Sequence, residues 1–339
     1  VPATAIPRLL DHYRQTAREL PWRTPPGSNE PADPYNVWLS EIMLQQTTVA
    51  TVTPRYRRFL ERWPTIDDLA AAPLEAVLAE WAGLGYYARA RNLHACARKV
   101  AAMGGFPTNE TGLRALPGIG EYTAAAIAAI AFGEQATVVD TNVERIVARL
   151  HAIDRPIKDT RPQIRALAAD LFADGPSGDI AQALMDLGAT ICRPTAPRCD
   201  ACPLAGVCKA YASGTPEAFP PKLARTAKPE RHGTAWIIEQ DRNIFLVRRP
   251  ASGLLGGMAA LPGTDWRDGE PLQAPLPAVR HVFTHFALTL QIESRDAVPD
   301  DIDGWWQPID RLEEAGLPTL YAKAVAVWRA SEREPSLIA

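Results

Sequence analysis

Four of the five cysteines, Cys192, Cys199, Cys202 and Cys208, fall within 17 residues, separated by six, two and five positions. Thiols at that density constrain the chain to wrap a short loop around something that binds sulfur. Four thiolates hold either a [4Fe–4S] cluster or a zinc ion. Zinc ribbons use two Cys-x2-Cys knuckles, and here only Cys199 and Cys202 are so spaced, which favours iron–sulfur. A disulfide framework belongs to small secreted domains. With 339 residues and no basic-then-apolar leader at its start, the chain reads as neither small nor secreted. Arg193, Arg198 and Lys209 flank the tetrad as phosphate ligands or as a solvated rim. Cys96 lies apart and reads as a small buried hydrophobe.

Hydrophobic residues make up 47% and charged residues 22%, a globular balance, and the length suggests about two domains. The longest apolar run, Ala124 to Phe132, is far short of the ~20 residues that span a bilayer. A cytoplasmic protein without membrane association is expected. Residues 1–211 carry 22 basic and 22 acidic side chains, whereas residues 212–339 carry 14 and 17, so the net −3 resides in the second part. Near-neutrality argues weakly against nucleic acid. Of six lysines none precedes Lys99, so most positive charge is arginine, the better bidentate phosphate ligand.

The first part reads as mostly helical. Val143, Ile146, Val147 and Leu150 form one helical stripe, Ala124 to Phe132 is a short apolar helix, and Tyr35 to Val52 is expected as one helix. Ser213 to Pro229, with Gly214, Pro216, Pro220, Pro221 and Pro229, reads as a linker. Beyond it, Thr234 to Gln240 and Ile244 to Arg249 flank a hairpin turn, Ala287 to Glu293 alternates as a half-buried strand, and Pro318 to Ala330 closes as a helix. The expected organisation is a helical domain over 1–212 with its cysteine segment at 192–208, a linker at 213–229, and an α+β domain over 230–339.

Leu116-Pro117-Gly118-Ile119-Gly120 leads directly into a helix. Glycines two apart allow a tight turn with exposed amides, and a helix N-terminus adds positive dipole, so a phosphate can sit there without lysine. This is a helix-hairpin-helix pattern; a purely structural Pro-Gly turn is the competing reading. Val138-Val139-Asp140-Thr141-Asn142 follows some twenty residues later. Taken alone, Asp140 reads as a helix N-cap; its place after the hairpin supports a catalytic role. Glu41 sits among Trp38, Ile42, Met43 and Leu44, an apolar setting that raises a carboxyl pKa and suits a general acid.

The hairpin, the aspartate after it and the Cys-x6-Cys-x2-Cys-x5-Cys tail together resemble the endonuclease III superfamily of DNA glycosylases, and within it the MutY-type adenine glycosylases. The runs Trp38 to Thr47, Gly83 to Leu93 and Met185 to Ala189 are similar to that family. The resemblance implies a multidomain chain: an all-α helix-hairpin-helix domain with a [4Fe–4S] loop, then an α+β Nudix-like domain. It implies that Glu41 protonates N7 of a flipped adenine, that Asp140 stabilises the oxocarbenium-like sugar, and that Tyr122 and Asn142 assist hydrolysis. The carboxylate pair parallels that of retaining glycosidases. It assigns Arg18, Trp22, Arg23, Leu44, Gln182 and Met185 to the adenine pocket, and Gln46, Thr47, Leu84, Tyr86, Gly118 and Gly120 to the DNA interface, with Gln46 and Tyr86 as wedges that fill the space of a flipped base. Trp22 and Met185 read equally well as core, and so do Tyr86 and Tyr87, although Gly83 and Gly85 favour a loop.

Bifunctional relatives carry a lysine two positions after the hairpin's last glycine; here Tyr122 offers no amine for a Schiff base, so a monofunctional enzyme is expected. The implied partner is duplex DNA containing an A:8-oxoguanine pair, bound by a monomer. In the second domain, Phe283-Thr284-His285 matches the family's Phe-Ser-His loop for 8-oxoguanine, with threonine in place of serine. Both hydroxyls donate and accept; His285 as an ordinary strand histidine is the competing reading. Gly256 to Ala278 lacks the metal-binding box of the Nudix hydrolases, so no nucleotide hydrolysis is expected. Three rival readings meet specific opposition. Tyr122 and the second domain oppose a bifunctional pyrimidine-lesion glycosylase, the pairing of Glu41 with Asp140 opposes a non-catalytic DNA-binding module, and the missing box opposes a pyrophosphatase.

Overall fold

The computed structural model describes residues 4–28, 30–221, 227–250, 253–269 and 276–333. Parts of the expected linker (222–226) and of the box-less stretch (270–275) lie outside the described residues. Helices α1 (Ala5–Thr16), α2 (Pro34–Leu44), α3 (Val49–Arg62), α4 (Ile66–Ala71), α5 (Leu74–Glu80), α6 (Ala88–Met103), α7 (Glu110–Arg114), α8 (Glu121–Phe132), α9 (Thr141–His151), α10 (Ile157–Phe172), α11 (Ser177–Thr190) and α12 (Lys209–Ala212) come first. Strands β1 (Glu230–Gln240), β2 (Asn243–Arg248), β3 (Ala259–Ala260), β4 (Arg267–Asp268), β5 (Ala278–Val282), β6 (Ala287–Arg295) and β7 (Trp305–Pro308) precede α13 (Thr319–Arg333). No helix among the described residues is long and apolar enough to cross a membrane.

The chain divides into two compact units, Val1–Ala71 with Ala95–Ala224, and Ala72–His94 with Arg225–Ala339. Segment 72–94, early in the sequence, is thus grouped with the C-terminal residues.

In the first unit, α8, α9, α10 and α11 bury a shared core with α1. Ala125, Ala126, Ala129, Val143, Val147, Leu171, Ile180 and Leu184 are all but sealed from solvent. Close packing relies on small side chains: a Cβ on Gly178 of α11 would lie 2.6 Å from the Ala129 carbonyl oxygen of α8. The expected helix Tyr35 to Val52 is two helices. The α2 helix starts on an Asp33 cap, whose carboxylate accepts from Tyr35 N at 2.8 Å, and ends at Leu44 because Gln46 turns left-handed at φ +56°. Thr48 then caps α3, its hydroxyl accepting from Thr51 N. Side-chain capping by threonine competes with helix continuation, and the break leaves Gln46 exposed at a bend rather than on a helix face.

The second unit is a mixed sheet of order β3-β2-β1-β6-β5, with β4 and β7 paired to β1 and β2. All pairs are antiparallel except β1 with β6. Asp241 and Arg242, both at positive φ, form the two-residue turn between β1 and β2. The inward residues Ile237, Leu246, Leu288 and Leu290 pack against Leu320, Tyr321 and Ala324 of α13.

Candidate active site

One cleft of about 1680 Å³ opens in the helical unit. Its lining brings together residues far apart in sequence: Glu41, Tyr122, Asp140 and Asn142; Arg18, Trp22, Arg23, Leu44, Gln182 and Met185; and Gln46 and Thr47. Glu41 projects from the middle of α2 and is only 8% exposed. Burial raises its carboxyl from the ordinary 4.5 to about 7, helped by the negative charge of Asp140 and opposed by the Tyr122 hydroxyl and Arg23. The Tyr122 hydroxyl, on the first turn of α8, donates to Glu41 Oε2 at 2.7 Å. Tyr122 is held neutral: burial and the two nearby carboxylates push its phenol well above the usual range.

Asp140 is the N-cap of α9 and also lines the cleft. One carboxylate oxygen caps α9, accepting from Val143 N at 2.7 Å; the other accepts from Asn142 Nδ2 at 2.7 Å. Both partners are uncharged donors, and the carboxyl group is fixed at the cleft wall. Asn142 is itself held by Arg145, whose Nη2 donates to Asn142 Oδ1 and to the Gly188 carbonyl, both at 2.8 Å, while its Nε donates to the Cys192 carbonyl. Sequence reasoning gave Arg145 no role, and Gly188 entered it only within the family-like run Met185 to Ala189. The signal was latent in Gly188: a Cβ there would lie 2.5 Å from Asn142 Cβ.

Asp186 was also missed. It accepts from Arg18 N and Nε at 3.0 and 2.6 Å and from Arg23 Nη1 at 2.7 Å. Burial pushes its carboxyl up, but the hydrogen bonds and charges of Arg23 and Arg18 outweigh this and hold it below the ordinary value. This ion triad fixes both arginines at the cleft wall. Trp22 meets Tyr56 edge-to-face at 5.3 Å and is 7% exposed, so it serves core and cleft together.

The hairpin glycines lie elsewhere in this unit. Gly118 adopts φ +74°, a conformation that favours glycine. Gly118 and Gly120 are exposed around buried Ile119, and α8 begins there without a side-chain cap. The cysteine loop hangs below α9 and α11. Arg149 Nη1 donates to Cys192 Sγ at 3.3 Å, and Cys208 Sγ donates to the Arg149 carbonyl at 3.5 Å. Backbone amides of Leu204, and of Tyr211 and Ala210, are aimed at the sulfurs of Cys202 and Cys208. Burial raises the Cys202 thiol to about 11, and the other three sulfurs act on it electrostatically, so the four surround one locus. No three His, Cys, Asp or Glu side chains among the described residues converge closely enough for a single metal ion. Arg193, Arg198 and Lys209 are exposed at the rim, and Cys96 is buried at 0% exposure.

In the second unit, Tyr86 and Tyr87 part company. Tyr87 is buried, and Tyr86, left-handed at φ +48°, is 48% exposed. Leu84, assigned to the DNA interface from sequence, is 4% exposed and presents no apolar edge; the Gly83–Tyr87 turn points it inward. Phe283, Thr284 and His285 lie in the tight turn between β5 and β6, closed by Phe283 N donating to the Phe286 carbonyl at 2.8 Å, so His285 is not a strand residue. The Phe283 ring stacks on Trp266 at 5.6 Å, leaving Thr284 and His285 exposed at the tip.

Residues 39–173 match the HhH-GPD superfamily of base excision DNA repair proteins and residues 233–327 match the NUDIX domain. The chain is 38% identical to the human adenine DNA glycosylase, over 84% of this chain and 65% of that one. It is 42% identical to the adenine DNA glycosylase of Mycolicibacterium smegmatis, over 61% and 70%. A solved thermostable thymine-DNA glycosylase superposes on 62% of the chain and 96% of its own with a TM-score of 0.54 at 28% identity. With the adenine DNA glycosylase of Rattus norvegicus the likeness is 37%, over 96% of this chain and 78% of the relative, and on that breadth the chain belongs to the adenine DNA glycosylase family.

Proposed function

We propose that this chain is a monofunctional glycosylase that excises adenine paired with 8-oxoguanine, and adenine opposite guanine, during base excision repair of duplex DNA. The observation that carries this is a pair of carboxyl groups set differently in one cleft: Glu41, buried and raised to about 7, and Asp140, which accepts from Val143 N and Asn142 Nδ2. A buried carboxyl raised toward neutrality suits the acid role, and a hydrogen-bonded carboxyl group suits facing a developing cation. Glu41 in its protonated form donates to N7 of the flipped adenine, making the base a leaving group. Asp140 faces the positive charge that develops on the sugar as the N-glycosidic bond breaks. Tyr122 keeps the Glu41 carboxyl oriented, and Asn142 does the same for Asp140. Arg18, Trp22, Arg23, Leu44, Gln182 and Met185 enclose the base. Gly118, Gly120 and the uncapped start of α8 supply amides for a backbone phosphate.

Gln46 and Thr47, at the α2–α3 break, meet the duplex where the adenine has left, Tyr86 intercalates beside the opposing 8-oxoguanine, and the Phe283-Thr284-His285 turn reads that base. Cys192, Cys199, Cys202 and Cys208 would hold a [4Fe–4S] cluster. Their fit rests on the mutual proximity of the four sulfurs and on backbone amide donors to Cys202 and Cys208. When bound, such a cluster supplies a structural clasp for the loop. The domain boundaries that go with this reading are 1–212, 213–229 and 230–339, in a monomer acting on cytoplasmic DNA.

The test is an iron-replete preparation incubated with a duplex holding one A:8-oxoguanine pair. Free adenine should appear, and the strand should break only after alkali, since Tyr122 provides no amine. Absence of adenine release sinks the reading; prompt strand cleavage trapped by borohydride sinks its monofunctional part. Cys199→Ser should lose visible absorbance and folding stability together.

A further inference from the structure

The turn that displays Tyr86 is strained. Gly83 and Gly85 stand at φ +89° and +70°, conformations that suit glycine, but Tyr86 follows at +48°, which an L-residue with a bulky side chain rarely adopts. One side chain reaches two carbonyls of this turn and the Tyr86 ring. Arg89 Nη2 donates to the Leu84 and Gly85 carbonyls at 2.9 and 3.2 Å. Its guanidinium carbon lies 5.2 Å from the Trp81 ring centre and 5.6 Å from that of Tyr86. Trp81 Nε1 adds a second donor to the Gly85 carbonyl at 3.0 Å. Beyond the ring, the Tyr86 hydroxyl shares a hydrogen bond with Thr284 Oγ1 at 2.8 Å. Burial lowers the Arg89 guanidinium to about 10, so it remains charged near neutrality.

We propose that Arg89 is the positioning residue of the Tyr86 turn: its guanidinium fixes the turn's carbonyls and backs the Tyr86 ring, presetting that ring and its Thr284 contact for the base opposite the excised adenine. This rests on the wedge role proposed above for Tyr86. The planar fork is what the geometry needs. It caps two carbonyls while stacking on aromatic faces, and an ammonium, a point charge, cannot do both. The alternative for an arginine in such a protein is a phosphate contact, which lysine would preserve and which would contribute about one to the salt dependence of binding.

The experiment uses the full chain and a duplex with one A:8-oxoguanine pair and 2-aminopurine beside the 8-oxoguanine, whose emission rises when the wedge unstacks it. Arg89→Lys, Arg89→Met, Tyr86→Ala and the double variant Tyr86→Ala/Arg89→Lys are compared by single-turnover excision at graded enzyme and salt. Both Arg89 variants should raise the half-saturating concentration about tenfold with a smaller change in plateau rate, and blunt the emission rise. The salt slope should stay at the wild-type value, and Arg89→Lys should add nothing to Tyr86→Ala. Wild-type behaviour of Arg89→Lys beside an impaired Tyr86→Ala, additivity in the double variant, or a slope lowered by about one in Arg89→Met overturns the positioning role and leaves the wedge standing. A Tyr86→Ala variant equal to wild type overturns both.

Discussion

In the helical unit, the groups facing the cleft are held by charge and by buried hydrogen bonds. Asp186 clamps Arg18 and Arg23, Arg145 holds Asn142, Asn142 holds Asp140, and Tyr122 holds Glu41. In the second unit, the exposed groups are held by rings and turns: Phe283 on Trp266, Tyr86 on Arg89, and two tight loops that close on backbone donors. The difference follows from the tasks proposed for them. Moving a proton and facing a transient cation need fixed charges in a low dielectric, where misplacement is costly. Reading a base in a duplex needs aromatic area and hydroxyls at the surface, where a ring can enter a stack and a hydroxyl can switch between donor and acceptor. Substitutions in the first unit should therefore change the rate of chemistry, and those in the second should change which pairs are chosen.

The largest effects belong to the carboxyl groups. Glu41→Gln should slow single-turnover excision about 10³-fold, within the range by which general acids act. Asp140→Asn separates the two functions its geometry combines. Asparagine caps helices as well as aspartate does, so the melting temperature should hold while excision falls by about 10² or more. An Asp140→Asn protein that loses stability and activity in proportion would reduce Asp140 to its cap.

Gly188→Ala comes next. The added methyl cannot share space with Asn142, so the Asn142–Asp140 hydrogen bond must open. Excision should fall between about tenfold and 10²-fold, with duplex affinity nearly intact; a variant within about threefold of wild type would show that Asp140 needs no orienting partner. In the second unit, Thr284→Ala should cut the preference for 8-oxoguanine over guanine by roughly five- to tenfold, the worth of one hydrogen bond. Excision at saturating enzyme on the lesion duplex should persist, and Thr284→Ser should restore the preference. Loss of rate without loss of preference would erase the contrast between the units.

Much of this was legible in sequence because it is local. The stripe of α9, the Pro-Gly turn before α8, the cysteine spacing and the apolar neighbours of Glu41 are all encoded within a few residues. What was not legible is held together by partners distant in sequence. Asp186 lies 168 positions from Arg18, and no local pattern marks it as their counter-ion. The split of α2 from α3 turns on a backbone reversal at Gln46 that apolar periodicity cannot register. Family resemblance placed Leu84 at the interface, yet in the same turn Leu84 is buried while Tyr86 is exposed. Segment 72–94 reads as one more helical stretch; its grouping with the C-terminal unit arises only from packing.

The smallest effect is a pH shift, and it probes the first unit most finely. With Glu41 raised to about 7, the acid form proposed to donate to adenine is lost as pH climbs, so excision should fall along an alkaline limb near 7. The Tyr122 hydroxyl favours the ionised carboxylate. Tyr122→Phe should therefore move that limb to higher pH even while lowering the plateau; a limb that stays put would mean another group carries it. Stability obeys the same sign. Between about 4.5 and 7 the unfolded chain gives up a proton that folded Glu41 retains, so this group's stabilising contribution, full at low pH, is lost as pH rises through 7. Glu41→Gln removes a carboxylate that is buried and charged at pH 8. The variant should thus be more stable than wild type at pH 8, by on the order of 3 kcal/mol, with the advantage vanishing at pH 4. A protein that is more stable where it is catalytically dead is what a site built against its own charge predicts.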